Sequence, residues 1–181
     1  MKKIIILFTI VTFFSCSKES EITPESYTNL TPTIASENGR RTGEGGGGEG
    51  TTSTDLIAGQ NMIAGTVELW TDGTQLFITY LTTTDWTIDQ THLYIGACED
   101  RPANNPGNPL IGQFPYSENH PENTWSVTYA FDLASLEPTG CIAAHASIDG
   151  VNGGSETAWG DGEPYGGNSW AMYFYYDLSL L

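Results

Sequence analysis

Positive charge is scarce in this 181-residue chain: six Lys and Arg residues stand against 22 Asp and Glu, for a formal net charge of −16. Five of the six bases precede residue 55, which leaves Arg101 alone in the rest of the chain. A chain without a basic surface cannot neutralise phosphate groups. Nucleic acid and anionic lipid headgroups are therefore excluded as partners.

The sequence also lacks the motifs that mark common catalytic sites. It has no Gly-x-Ser-x-Gly, no His-Glu-x-x-His, no phosphate-binding glycine loop and no EF-hand. Because nothing marks a nucleophile beside a base, we expect a protein that is not an enzyme. A hydrolase that uses a metal, or a carboxylate pair such as Glu156 with Asp161 or Glu163, is the weaker alternative. We expect no cofactor. If the acidic surface binds an ion, Ca²⁺ is the one that we expect.

The sequence has no apolar run long enough to cross a bilayer, and the run at the N-terminus, Ile4 to Phe14, is also too short. It follows Lys2 and Lys3 and ends at a small residue before a cysteine, in "MKKIIILFTIVTFFSC". This segment resembles a bacterial lipoprotein signal of the Bacteroidota type, although Phe13 stands where Leu is usual. The resemblance implies that residues 1–15 are removed and that Cys16 carries fatty acyl chains such as palmitate. A plain signal peptide before an unmodified Cys16 is the alternative.

The residues after Cys16 bear on localisation. Ser17, rather than Asp, follows the cysteine, which fits the outer membrane, and "SKES" resembles the short signals that send Bacteroidota lipoproteins to the cell surface. We therefore expect an exported protein, anchored to the outer membrane through its lipid and exposed at the cell surface.

Composition divides the mature chain in two. Residues 16–54 are rich in Ser, Thr, Glu and Gly and have little to bury, so they predict a disordered tether. Residues 55–181 are long enough for one domain with its own core.

Alternation of apolar and polar residues dominates that domain. In "TWSVTYAFDL" the residues Val127, Tyr129 and Phe131 share one face, as in a half-buried strand. Asp72-Gly73 lies between two β-rich runs, which is a strong hairpin signal. We predict an all-β fold: a single antiparallel β-sandwich of about six to eight strands, immunoglobulin-like or jelly-roll-like.

Cys98 and Cys141 form an even pair in an oxidising compartment, and we predict a disulfide between them, with two buried thiols as the alternative. If their strands are antiparallel neighbours, His92 falls diagonally across from His145 and the imidazoles can meet. A carboxylate such as Glu156 or Asp161 would complete a metal site. We favour two histidines hydrogen-bonded on a half-polar face, because two ligands are a weak metal signal. We predict that His120 is a loop residue.

A glycine-rich loop before the last strand carries the residue types that bind sugars. An aromatic ring stacks on the apolar face of a pyranose, while carboxylates and amides bond its hydroxyls. The alternative is that the aromatic residues cap the core. The candidate ligand-binding residues are Glu156, Trp159, Asp161, Tyr165 and Asn168.

Four segments together resemble a module that recurs in secreted and lipid-anchored bacterial proteins. They are "THLYIG" (91–96), "GNPLIGQFPY" (107–116), "CIAAHA" (141–146) and "ETAWGDG" with "WAMYF" (156–162 and 170–174). The resemblance covers nearly all of residues 55–176. It implies an extracellular β domain and assigns no functional residue, since no activity is settled for the module. We expect a non-catalytic binding or adhesion module for a glycan or a protein, or alternatively a structural envelope spacer.

The lipid anchor is directly testable. Cys16→Ala removes the acylated thiol, so the protein should move from the membrane fraction to the soluble fraction of lysed cells, as measured by immunoblot. Ser15→Ala keeps a small residue before the cysteine and serves as the control that stays in the membrane. Retention of Cys16→Ala in the membrane would contradict the anchor.

Overall fold

A computed structural model describes residues 33–38 and 51–181, and its regular structure there is β-strand with four short 3-10 turns. The predicted all-β class is confirmed. No helix within these ranges is long and apolar enough to cross a membrane. The strands are β1 (Thr33–Asn38), β2 (Thr52–Ala58), β3 (Met62–Thr71), β4 (Gln75–Thr82), β5 (Trp86–Gly96), β6 (Tyr116–Asn119), β7 (Thr124–Asp132), β8 (Thr139–Gly150), β9 (Ser155–Gly160), β10 (Glu163–Pro164) and β11 (Met172–Asp177).

The strands form one antiparallel sheet in the order β1-β7-β4-β3-β2-β9-β8-β11-β10. Strand β8 is long enough to pair along one side with β11 through its first residues and with β9 through its last. Along its other side β8 pairs with β5, which carries β6 on its outer edge. Strand β8 is therefore the branch point of the sheet.

The sheet curves until β5 lies across the interior from β4 and β7. The Tyr80 hydroxyl on β4 donates to the backbone carbonyl of His92 on β5 at 3.0 Å. The hydroxyls of Thr91 on β5 and Tyr129 on β7 are 2.7 Å apart. These side-chain bonds join strands that share no backbone ladder, so the two ends of the sheet enclose a common core.

Alternation explains which residues fill that core. Val127, Tyr129 and Phe131 on β7 are at most 1 % exposed, as their spacing predicts. Strands β5 and β8 have apolar residues on both faces and so separate two clusters. The main core takes Leu93, Ile95, Ile142, Ala144, Ala146 and Ile148 from them. The second cluster, on the opposite face, consists of Tyr94, Phe114, Ala143, Trp159, Tyr165 and Ala171.

The β3–β4 hairpin has the predicted turn at Asp72-Gly73. Gly73 has φ +88°, a conformation that a residue with a Cβ rarely adopts. The Asp72 carboxylate accepts from the backbone N–H groups of Thr74 and Gln75, each at 2.8 Å. These hydrogen bonds to the charged form hold the pKa of Asp72 below its ordinary value.

The structure differs from the sequence-based expectations in three places. Residues 33–38 and 51–181 form eleven strands, more than the six to eight expected. Strand β1 lies in the predicted tether and pairs with β7, while β2 begins before residue 55. Strand β9 contains Glu156 and Trp159, which the sequence predicted to lie in a glycine-rich loop. Residues 1–32, with Cys16, lie outside the described ranges, and the finer expectation of an immunoglobulin-like or jelly-roll sandwich stays a prediction.

The predicted disulfide is confirmed: Cys98 is bonded to Cys141, with their Cα atoms 5.0 Å apart. Cys98 begins a 3-10 turn just after β5, and Cys141 lies near the start of β8. The bond therefore closes the end of the β5–β8 pair, where Gly96 is opposite Cys141.

The double substitution Cys98→Ala, Cys141→Ala should lower the free energy of unfolding by about 4 kcal/mol, because it frees the loop between the cysteines in the unfolded chain. Urea unfolding of the oxidised wild type and the variant measures the difference. Reduced wild type is the matched control and should unfold at the midpoint of the variant. Equal midpoints for the variant and oxidised wild type would contradict this stabilising role.

Candidate functional site

The aromatic residues of the predicted binding loop are buried. Trp159 is 3 % exposed and Tyr165 is 5 % exposed. The Trp159 ring lies 4.8 Å from the His145 ring and 6.2 Å from the Phe114 ring, measured between centroids. The Tyr165 hydroxyl donates to the carbonyl of Pro102 at 3.0 Å. A sugar must reach a ring face to stack on it, so the expected stacking role of these two residues is corrected: they pack the second cluster.

The polar candidates of that loop are exposed, and two of them have structural partners. The Asn168 backbone N–H donates to Asn108 Oδ1 at 2.8 Å, and the Asp161 backbone N–H donates to the Asp55 carbonyl at 2.8 Å. The segment is thus an ordered cover over the second cluster. A ligand-binding role for the side chains of Glu156, Asp161 and Asn168 stays a prediction.

The two strand histidines meet, as expected, but directly opposite each other rather than diagonally. Their Nδ1 atoms are 3.4 Å apart, and their ring centroids 5.4 Å. Among residues 33–38 and 51–181, no third His, Cys, Asp or Glu joins a metal-binding group with them. The expected alternative, with Glu156 or Asp161 completing a metal site, stays a prediction.

Burial determines the charge of the pair. His145 is 4 % exposed, and burial together with the neighbouring His92 lowers its pKa to about 3. Burial also lowers the pKa of His92, which is half-buried. Both rings are neutral at pH 7, and their Nδ1 atoms can share one hydrogen bond. His145 Nε2 is buried with no hydrogen-bond partner.

His120 lies in the loop between β6 and β7, as predicted, and its side chain is part of a buried polar network. Its Nε2 atom is 2.7 Å from the Thr91 hydroxyl, which also lies 2.7 Å from the Tyr129 hydroxyl. A hydroxyl beside an imidazole has the composition of an activated nucleophile. Thr91 is fully buried, however, so no substrate can reach its oxygen. The network satisfies polar groups inside the main core.

An open groove of about 720 Å³ lies where β5 ends and β8 and β11 meet; we call it the Tyr175 groove. Tyr175 is 63 % exposed, whereas the adjacent Tyr176 is 4 % exposed and forms part of the groove floor. Gly140 lets Tyr176 pack closely, because a Cβ there would lie 2.8 Å from the Tyr176 ring. The remaining lining residues are Ala97, Cys98, Glu99, Glu137, Pro138, Thr139, Asp177 and Leu180.

Charge in the groove has one sign. Its lining includes Glu99, Glu137 and Asp177 and no Lys, Arg or His. The Asp177 carboxylate accepts from the Ser179 hydroxyl at 2.6 Å and from its N–H at 2.9 Å, which lowers its pKa. A groove of this composition offers acceptors to hydroxyl or amide donors and repels anions.

The disulfide and Arg101 hold one wall of the Tyr175 groove. Cys98 ties the turn that carries Glu99 to the start of β8. Arg101 donates to the Cys98 carbonyl, and its guanidinium lies 3.8 Å from the centroid of the Tyr173 ring. The hydroxyls of Tyr173 and Tyr175 are 3.3 Å apart. The turn after β5 therefore supplies the Glu99 carboxylate and leads into Arg101, which contacts Tyr173, the neighbour of the exposed Tyr175 ring.

No family model, curated protein or solved structure matches this chain. The resemblance to a secreted module stays a prediction, and functional inference rests on the groove and the histidine pair. The sequence did not single out the groove, because its walls come from residues 97–99, 137–140 and 175–180. Two signals were available: alternation places Tyr175 on the outer face of its strand, and the disulfide places Glu99 near Thr139.

Stability should fall with acidification because of His145. Unfolded, this residue has an ordinary pKa near 6.5, against about 3 in the folded chain. Below pH 6.5 the His145 imidazole takes up a proton only in the unfolded state. The free energy of unfolding therefore falls by about 1.4 kcal/mol for each pH unit down to about pH 3. Urea unfolding of wild type and His145→Leu at pH 7 and pH 5 measures this. From pH 7 to pH 5 the free energy of unfolding should fall by about 2 kcal/mol less in the variant than in wild type. Equal decreases in the two proteins would contradict the burial of a neutral imidazole.

Proposed function

We propose that this protein is a lipid-anchored lipoprotein of the outer membrane whose surface-exposed β domain binds a neutral glycan, without catalysis, in the Tyr175 groove. The observation that carries the proposal is the exposed ring of Tyr175 beside three carboxylates in an open groove. An aromatic ring supplies the apolar face on which a pyranose stacks, and carboxylates accept hydrogen bonds from its hydroxyls.

The charge of the groove selects the ligand class. Acidic sugars and phosphorylated ligands would meet Glu99, Glu137 and Asp177 with no base among the lining residues. Unlike charges are needed to offset the desolvation of an anion, so a neutral sugar is favoured. Binding without turnover is favoured because the hydroxyl–imidazole pair of Thr91 and His120 is buried, away from any ligand.

The rigidity of the groove also supports binding. Its floor contains Cys98 and Tyr176, which are fixed by the disulfide and by packing against the main core. A preformed site loses little conformational entropy when a ligand binds, which favours affinity. Residues 17–32, between Cys16 and β1, would link this domain to the lipid.

The experiment is a glycan array followed by calorimetric titration of the hits. The protein is the full chain with Cys16→Ser, which removes the lipid. Tyr175→Ala should weaken binding roughly tenfold, because the lost ring removes about 1.4 kcal/mol of stacking and apolar contact. Ile63→Ala is the matched control: Ile63 is 62 % exposed and is not among the residues that line the Tyr175 groove.

Two outcomes would overturn the proposal. One is a folded wild type that binds no glycan, which would leave the structural spacer as the better function. The other is a glycan whose affinity is unchanged in Tyr175→Ala, which would place the binding site elsewhere. Release of a cleaved sugar during the titration would show catalysis and contradict the non-catalytic role.

A further inference from the structure

The facing imidazoles of His92 and His145 have the spacing of a two-ligand metal site. Their Nδ1 atoms are 3.4 Å apart and are held by adjacent strands at paired positions. A metal between two imidazole nitrogens separates them by roughly 4 Å, twice the usual bond length of about 2.0–2.1 Å. A small rotation of the half-buried His92 side chain supplies the difference.

The surroundings select the kind of ion. In residues 33–38 and 51–181 no further His, Cys, Asp or Glu joins the pair, so the four ligands of a Zn²⁺ site and the oxygen cage of a Ca²⁺ site are not provided. The neighbouring Trp159 is 3 % exposed and lies in the aromatic second cluster. Burying a doubly charged ion there with two neutral ligands is costly, whereas a soft monovalent ion is desolvated more easily.

Proton balance allows binding at neutral pH. A neutral imidazole carries one N–H and one lone pair, so each ring can present the Nδ1 lone pair by keeping its proton on Nε2. No proton has to leave the protein when the ion binds. For His145 the buried Nε2–H would face the aromatic cluster, in which the Trp159 ring is 4.8 Å away between centroids.

We propose that His92 and His145 together bind one monovalent copper ion, Cu⁺, through their two Nδ1 atoms. Imidazole is a common copper ligand, and two opposed nitrogens satisfy the linear coordination of a monovalent d¹⁰ ion. The half-buried His92 provides the route from solvent. This site lies four residue pairs along β5 and β8 from the Gly96–Cys141 pair and is separate from the Tyr175 groove.

The probe is Ag⁺, which has the same charge and coordination preference and needs no reductant, so the disulfide stays intact. Ag⁺ is titrated calorimetrically, in chloride-free buffer, into the full chain carrying Cys16→Ser, because a free thiol would compete for the ion. One ion per chain should bind and raise the melting temperature by several degrees. Nitrogen NMR of the histidine rings should show both Nδ1 signals shifting together.

His92→Gln is the decisive variant, because His92 is half-buried and its loss leaves the cores intact. It should bind Ag⁺ at least tenfold more weakly. His120→Gln is the matched control and should bind as tightly as wild type. The proposal is overturned if wild type shows no saturable site, if His92→Gln binds like wild type, or if Zn²⁺ raises the melting temperature more than Ag⁺.

Discussion

The antiparallel pairing of β5 with β8, closed at one end by the Cys98–Cys141 disulfide, sets the positions of both apolar clusters and of both candidate sites. One face of this pair fills the main core, and the other supports the second cluster. The same register opposes His92 to His145. At the closed end, the pair forms a wall of the Tyr175 groove.

Strands β5 and β8 have apolar residues on both faces, so other parts of the chain must pack against each face. Strands β3, β4 and β7 cover one face of β5 and β8, because the sheet curves back over itself. The other face is covered by Phe114, Tyr165 and Ala171, which come from connecting segments. Burial of the Tyr165 ring in this cluster accounts for the inward fold of the glycine-rich segment after β9.

The acidic composition acts differently in the interior and at the surface. The described carboxylates are not among the buried residues, so the excess negative charge lies in solvent and keeps the surface repulsive toward anions. The few buried polar groups are instead Thr, Ser and His side chains, as in the Thr91, His120 and Tyr129 network. Desolvation is the largest cause of the lowered pKa of both His120 and His145, and for His120 it outweighs the opposing effect of Glu118 and Asp89.

The strands and turns that could be predicted are those whose signal lies in residues close together in the sequence. Alternation identified the buried face of β7, and Asp72-Gly73 identified the hairpin. Strands β2 and β9 were not predicted. Nor were the short strands β1, β6 and β10, because each of these three consists largely of polar residues and pairs only at a sheet edge. Whether Trp159 lies inside or outside is equally invisible to alternation, since it depends on a second cover supplied by distant residues.

The sequence by itself determined the all-β class through two-residue alternation, and it predicted the disulfide from an even pair of cysteines. It predicted that the two histidines meet only on the condition that β5 and β8 are antiparallel neighbours. Tertiary structure alone decided that Trp159 and Tyr165 are buried, that the histidines are directly opposed, and that Tyr175 borders a groove. The physical reason is that burial and groove shape are set by contacts between segments far apart in the chain, whereas alternation records only which face of a strand a residue occupies.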